Sequence, residues 1–339
     1  MSLLKHSPRF DLAGAARIAR ALYGIDASAS PLPSERDQNF LLTTAAGDRY
    51  VLKIANASEN RAMLEAQNAA MEHVAGRASF CPRVLPTIAG ETIGTASDGA
   101  YFVRLVTYLA GTPLAAAGVR TPALLESLGR AVGRLDAALA DFDHPAIHRA
   151  FHWDLANASS VIAAHLRLIH DDGDRQLVHR MSASALREIE PHQAAFRRSA
   201  IHNDANDWNV LVGDGQVAGI IDFGDMVHSW TVADPAVAIA YAVLDANDPL
   251  ATAVEIVRGY HAEHPLRDEE LAAVFPLARL RLCMSACIAA WQQRQRPDDE
   301  YLAVSQGPIR RTLPALAAIS PRIAEETLRA ACNDNDSFD

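Results

Sequence analysis

Over the first third of the chain, apolar residues come in short strand-like runs broken by turns; over the rest they recur every three or four positions. The opening segment, "MSLLKHSPRFDLAGAARIARALYG", puts its apolar side chains on one side of a predicted helix. "SPLPSERDQNFLL" and "RYVLKI" read as two strands joined by a turn at Ala46, Gly47 and Asp48. A helix is predicted from about Asn60 to Val74, with Met63, Ala66, Ala70 and Val74 sharing a side. Strand-like runs return in "PRVLPTIAG" and "AYFVRLVTYL", and then Gly111 and Pro113 interrupt the pattern. The lobe boundary is placed there: residues 1–108 form a strand-rich lobe and 109–339 a mainly helical one.

The second lobe opens with a predicted helix from Pro122 to about Ala140, whose Leu125, Leu128, Val132, Leu135 and Leu139 keep helical spacing behind the start signal Thr121-Pro122. Helices are expected to continue through 155–198. "NVLVG" and "VAGIIDF" read as a hairpin about Asp214-Gly215. From Pro235 onward nearly everything reads as helix, including "DEELAAVFPLARLRLCMSACIAAWQQRQ", up to a polar tail, "ACNDNDSFD", expected to fray.

With 339 residues, half of them hydrophobic, there is ample material for a core in two lobes. The net charge of −10 leaves no broad basic surface, so a nucleic-acid partner is not expected, while a cationic small substrate is compatible with it. The N-terminal segment lacks the plan of a signal peptide, and no apolar run comes near the roughly 20 residues that span a bilayer, so a cytoplasmic protein without membrane contact is expected. Cys81, Cys283, Cys287 and Cys332 have no zinc-like spacing and read as reduced thiols.

The chemistry concentrates in "AIHNDANDWNVLVGDGQVAGIIDFGD", residues 200–225. Phosphoryl transfer from a nucleotide requires the phosphates to be held, their charge neutralised, a metal ligated and the attacking hydroxyl oriented. Asp204 and Asn209 have the offset of a kinase catalytic loop, with His202 two residues ahead, and Asp222-Phe223-Gly224 ends an apolar strand downstream. A hairpin would bring Asn209 and Asp222 together as hard oxygen ligands, which suits Mg²⁺. Any one of Asp204, Asp207 and Asp214 is readily explained as a turn residue; the whole constellation is not.

A kinase-like site also needs a lysine on a strand of the first lobe, paired with a glutamate on the next helix. Lys53 in "YVLKI" is the candidate, with Glu65 as its partner and Glu59 and Glu72 as alternatives; the competing arrangement pairs Glu65 with Arg61, four residues earlier. No glycine-rich flap lies between the first strands, which argues against a protein kinase; Ser34, Asp37, Gln38 and Asn39 in "SERDQNF" are the candidates to bond phosphates there.

"HNDANDWN" followed by "IIDFGD" resembles the aminoglycoside phosphotransferase and choline kinase superfamily, with its His-Gly-Asp-x4-Asn and Ile-Asp-Phe/Trp motifs. More narrowly, "LPSERDQNF", "FHWDLAN", "GIIDFGDMVHSW", "RLCMSA" and "PDDEYL" resemble the hydroxylysine kinase branch. The resemblance implies an α+β, bilobal protein-kinase-like fold. It implies Asp204 as the base or hydroxyl-orienting group, Asn209 and Asp222 as Mg²⁺ ligands, Lys53 as the phosphate lysine, and Thr107 to Gly111, with Tyr108 and Leu109, as the hinge to the nucleotide base. Two departures stand out: Asn203 replaces the usual glycine, and Ala238 stands where relatives often carry an Asp after the Asp234-Pro235 pair. The implied substrate is a small amine-bearing alcohol, 5-hydroxylysine above all, with ATP or GTP as donor. Asp207, Trp208, Asp225, His228 and Trp230 are candidates for its pocket, Trp153 and Asp154 for joining them, and Arg281 for its carboxylate. Choline, ethanolamine, homoserine or an aminoglycoside are alternative acceptors. A non-catalytic nucleotide-binding module is a second reading, against which the retention of Lys53, Asp204, Asn209 and Asp222 argues. A metal hydrolase is a third, and His202 stands apart from the other histidines as if to brace the loop instead.

Overall fold

The computed structural model describes residues 8–34, 37–96, 99–295 and 306–333. Two of the sequence expectations, the motif "PDDEYL" and most of the polar tail, lie outside these residues. The chain divides into two compact units, residues 1–110 and 111–339.

In the first unit, α1 (Leu12–Tyr23) begins where the Asp11 carboxylate accepts the Gly14 N–H at 2.6 Å and ends at Gly24 in the left-handed conformation, φ 66°. It packs on an antiparallel sheet of β1 (Ala27–Leu32), β2 (Gln38–Thr44), β3 (Arg49–Ile54), β4 (Val84–Leu85), β5 (Gly94–Ala96) and β6 (Tyr101–Thr107). The order is β1-β2-β3-β6-β4, with β5 also on β6. Alternation along the strands sends Phe40, Leu42, Leu52, Ile54, Val103 and Leu105 to one face, where they meet Ala15, Ala19 and Tyr23 of α1. The run "SPLPSERDQNFLL", expected as one strand, is instead the end of β1 and the start of β2, paired with each other from Ala27↔Thr44 to Leu32↔Asn39. Pro31 is tolerated because β1 is an edge strand, and Pro33 follows its end. α2 (Arg61–Val74), capped by Asn60, follows β3.

The second unit is largely helical: α3 (Pro122–Leu139), α4 (Ala158–His165), α5 (Asp172–Ile189), α6 (Ala233–Ala242), α7 (Pro249–Glu263), α8 (Asp268–Gln295), α9 (Gln306–Ala318) and α10 (Pro321–Asn333). It also carries two small antiparallel sheets. One joins β7 (Thr112–Pro113), β9 (Val210–Gly213) and β10 (Gln216–Ile220); the other pairs β8 (Arg198–Ile201) with β11 (Val227–Trp230). The β9–β10 turn uses Asp214 at φ 52° and Gly215 at φ 75°, the positive angles a tight hairpin needs. The β8–β11 pair was not expected from the sequence, since four-residue strands such as "RSAI" and "VHSW" carry too little periodicity. Nor was the character of α8: it is long and apolar enough, by length and composition, to cross a membrane, but its apolar window is wholly buried inside the protein.

α3 and α7 approach until their backbones touch. A Cβ at Gly129 would lie 2.0 Å from the Ile256 carbonyl oxygen, and one at Gly259 would lie 2.1 Å from that of Glu126. Gly129→Ala is expected to destabilise the protein by about 1–3 kcal/mol or more, because backbone rather than a movable side chain blocks the methyl. Gly76→Ala, with nothing within 4 Å of the added carbon, should stay within about 0.5 kcal/mol of the parent in urea denaturation.

Candidate active site

The loop between β8 and β9 is held from below by one carboxylate. Asp234, fully buried in the first turn of α6, accepts the His202 N–H at 2.9 Å on Oδ2 and the Asn203 N–H at 2.5 Å on Oδ1. Asn203 adopts φ 65°, so the residue that replaces glycine does occupy the left-handed region, which Asn enters more readily than most residues. Its Nδ2 donates to the Asp225 carbonyl at 3.2 Å, tying the loop to the segment that follows the Asp-Phe-Gly. His202 is fully buried and its imidazole is pushed toward neutrality, chiefly by burial, against the pull of Asp234. Its Nδ1 accepts the Asp204 N–H at 3.3 Å, which leaves the proton on Nε2 to be donated to the Ile221 carbonyl at 3.2 Å. The ring thus spans the loop and the end of the β10 strand.

Asp204 stands at the centre. Its Oδ1 accepts from Asn206 Nδ2 at 2.9 Å and from Arg281 Nη2 at 3.3 Å, and its Oδ2 accepts from Asn209 Nδ2 at 2.7 Å. Burial, followed by the Asp225 carboxylate, pushes the Asp204 carboxyl well above the ordinary carboxylate range; Arg281 and Asn206 act against this. The Asn209 amide also donates to the Asp204 carbonyl at 3.0 Å, so both of these donations go to Asp204, and its Oδ1 is the oxygen that could ligate a cation. The Ile221 N–H donates to the Asn209 carbonyl at 2.9 Å, continuing the β9–β10 register, so Asp222 follows directly on the residue opposite Asn209. Asp222 is exposed at φ 66°, and its Oδ1 accepts the Gly224 N–H at 3.2 Å.

A carboxamide oxygen and an exposed carboxylate, in a neighbourhood where the charges of Asp222 and Asp225 both weigh on Asp204, form a hard, electron-rich donor set. Such a set fits Mg²⁺ completed by waters and phosphate oxygens. Among the described residues no cluster of three or more His, Cys, Asp or Glu with metal-binding geometry occurs.

Arg281 on α8 is 1% exposed, too deeply buried to meet a substrate carboxylate in the role expected for it. It reaches Asp204, donates to the Trp153 carbonyl at 2.7 Å, and lies 4.6 Å from the centre of the Trp153 ring. The segment carrying Trp153 is itself fixed by Asp154, whose Oδ1 accepts from Ser229 Oγ on β11 at 2.6 Å. Asp207 and Trp208 face elsewhere: together with Leu114, Arg120, Asp245 and Asp248 they line a cavity of about 720 Å³ whose lining includes neither Asp204, Asn209, Asp222 nor Arg281. Burial raises the Asp207 carboxyl to about 6, opposed by Arg120 at 3.8 Å. Asp225 is buried beside Asp204; His228 stacks on His148 with centroids 4.4 Å apart, and Trp230 packs edge-on against Phe196. Asn206, Asp234 and Arg149 were not singled out as site residues from the sequence. Arg149 donates to the carbonyls of Gly224 and Met226, both at 3.0 Å, and so supports the turn after Asp222. Asn206, inside the loop motif, was the one within reach of sequence reasoning, as a residue type that bonds nearby backbone groups.

In the first unit the register aligns Asn39, Lys53 and Arg104 across β2, β3 and β6 on one face. Arg104, a cation the sequence reading missed, is 3% exposed and donates to Asn68 at 3.1 Å. Glu65 is exposed and takes Arg61 Nε at 2.9 Å, the alternative to the expected bridge with Lys53. Gln38 is engaged by the Phe10 backbone through two hydrogen bonds of 2.8 Å, and Asp37 Oδ1 accepts the Asn56 N–H at 3.0 Å. Those side chains bond backbone groups of the N-terminal segment and of the chain just after β3; Ser34 is half-buried ahead of β2. Thr107 closes β6 through hydrogen bonds with Arg83, Tyr108 lies under the Arg49 guanidinium, 4.2 Å from its ring centre, and Leu109 is half-buried.

A strand-rich unit followed by a helical unit with this catalytic loop is the architecture of kinases that act on small molecules. The chain belongs to the phosphotransferase enzyme family, whose family model matches residues 28–272. It is 31% identical to the hydroxylysine kinase of Mus musculus over 328 residues, 88% of this chain and 87% of that one. It is 29% identical to that of Danio rerio over 324 residues, 90% and 91% respectively. Among solved structures, an amicoumacin kinase in complex with AMP-PNP and Ca²⁺ superposes with a TM-score of 0.70 at 15% identity, covering 92% of this chain and 97% of that chain. The protein is therefore a small-molecule kinase, a phosphotransferase that acts on a hydroxyl group and draws the phosphate from a nucleotide.

Removing the buried guanidinium in Arg281→Met takes away the nearest positive charge from Asp204, so the Asp204 carboxyl rises further. The kinase-loop reading needs Asp204 ionised, so on that reading the acid limb of kcat against pH is expected to move to higher pH, by about one unit or more. A pH–rate profile of the variant checks the direction. Asp222→Ala is expected to weaken metal-dependent nucleotide binding about tenfold or more, read by titrating nucleotide with and without Mg²⁺.

Proposed function

We propose that the acceptor is the side-chain hydroxyl of 5-hydroxylysine and that the donor is ATP or GTP with Mg²⁺. The observation that carries the acceptor is the similarity, at about 30% identity over nearly the full length of both chains, to proteins named hydroxylysine kinase. Homoserine is the second reading, because a homoserine kinase of Gluconobacter oxydans is 29% identical over 74% of this chain.

In the proposed reaction Asp204 accepts a hydrogen bond from the acceptor hydroxyl and aims it in line at the γ-phosphorus. The transition state of such transfers is loose, so orientation matters more than early removal of the proton. Asn206, Asn209 and Arg281 fix the carboxylate on both of its oxygens, so that it holds a single rotamer when the hydroxyl arrives. Asn209 and Asp222 would hold Mg²⁺, and Lys53 would bind phosphate. A bound Mg²⁺ would supply charge neutralisation on the phosphates. The half-buried Trp153 ring and the Asp225 carboxylate, both grouped about Asp204 and Arg281, offer a cation an aromatic face and a negative charge.

A coupled assay of nucleoside diphosphate release, with ATP and GTP in turn, tests the reading against 5-hydroxylysine, homoserine, choline, ethanolamine and kanamycin. Stimulation by 5-hydroxylysine at least about tenfold above the other acceptors in kcat/KM is the expected result. Preference for homoserine would overturn the acceptor and keep the reaction.

A further inference from the structure

Two carboxylates lie buried beneath the catalytic loop, and only one of them touches it. Asp136, on the inner face of α3, is fully buried, as is Asp234. Asp136 Oδ2 accepts the Tyr260 hydroxyl of α7 at 2.6 Å. Among the described residues no protein N–H or O–H reaches its Oδ1, and the Asp234 carboxyl is close enough for its charge and a side-chain hydrogen bond to bear on Asp136. A hydrogen bond between two carboxyl groups needs a proton on one of them. Asp234 already accepts two backbone N–H groups, which favour its charged form, whereas Asp136 accepts only a phenol. The cation in the neighbourhood, Arg197, is engaged elsewhere: it pairs with Glu270, donates to the Pro265 carbonyl and meets His264.

We propose that Asp136 is a positioning residue that works as a neutral carboxylic acid: its O–H donates to Asp234, and Asp234, steadied as an anion, holds the backbone of His202 and Asn203 and so aims Asp204. The chain of donors runs from the Tyr260 hydroxyl to Asp136, from Asp136 to Asp234, and from the loop N–H groups back to Asp234. The groups facing Asp136 are Asp234 from α6, Tyr260 from α7 and Arg197 ahead of β8, with His202 on the far side of Asp234. Burial and the Asp234 charge raise the Asp136 carboxyl well above the ordinary range, in the direction the neutral form requires. A rise in pH through that value would set a second negative charge against Asp234 and loosen the loop.

The inference rests on the kinase reading only for its activity arm. Asp136→Asn preserves the geometry, since the amide donates to Asp234 and its carbonyl accepts from Tyr260; Asp136→Leu removes both bonds. Asp136→Asn is expected to keep kcat within about threefold of wild type and to hold activity further into alkali. Asp136→Leu should lose roughly tenfold to a hundredfold in kcat with the KM for nucleotide little changed, the size of effect that sub-ångström misplacement of a reacting group produces. Infrared difference spectra of the full chain, wild type minus Asp136→Asn at neutral pH, should show the carbonyl stretch of a protonated carboxylic acid. This readout needs no acceptor and no Asp136→Leu protein, so it separates failure of the inference from failure of the kinase reading or of folding. Absence of that band, an Asp136→Asn variant as impaired as Asp136→Leu, or a fully active Asp136→Leu would each overturn the proposal.

Discussion

Everything at the site hangs from the Asp234 carboxylate and the two backbone N–H groups it accepts. A buried anion is tolerated only where donors surround it, and here the donors belong to the catalytic loop itself. The cost of burying the charge is met by fixing His202 and Asn203, and the left-handed turn at Asn203 then sets the direction in which Asp204 leaves the backbone. α6, which carries Asp234, is buried along its whole length, so the anchor does not move with the surface.

Around that anchor the site is assembled by donors that satisfy carboxylates from several elements. Arg281 comes from α8, Asn206 and Asn209 from the loop, and Arg149 braces the turn beyond Asp222. The result is a negative centre whose one deeply buried cation is already committed to Asp204, which suits a site awaiting a divalent metal and a polyphosphate. The same commitment occupies Arg281, which is buried between Asp204 and the Trp153 ring.

Much of this was legible in the sequence because it is local. The hairpin about Asp214-Gly215, the offset from Asp204 to Asn209 and the Asp-Phe-Gly at the end of an apolar strand are all set by neighbours along the chain. Most of what could not be read depends on contacts across about thirty residues or more, as with Asp234 and the loop it holds. Arg281 lies 77 positions from Asp204, and Asp136 pairs with a tyrosine 124 positions away; nothing in a helical pattern marks either as part of a site. Asp207 and Trp208 were grouped with Asp204 on sequence proximity, yet a turn sends them into a different cavity. Short strands such as β8 and β11 escaped for a related reason: four residues carry little periodicity, and they pair with each other across a long intervening stretch of chain.

The central claim is that Asp204 orients the acceptor for transfer and takes little part in holding the nucleotide. Single-turnover phosphoryl transfer in Asp204→Asn, with nucleotide affinity measured on the same protein, tests it most directly. The account predicts that the rate of transfer falls by roughly a hundredfold or more while the dissociation constant for Mg²⁺-nucleotide stays within a few-fold of wild type. A near-normal transfer rate, or a loss confined to nucleotide binding, would contradict it.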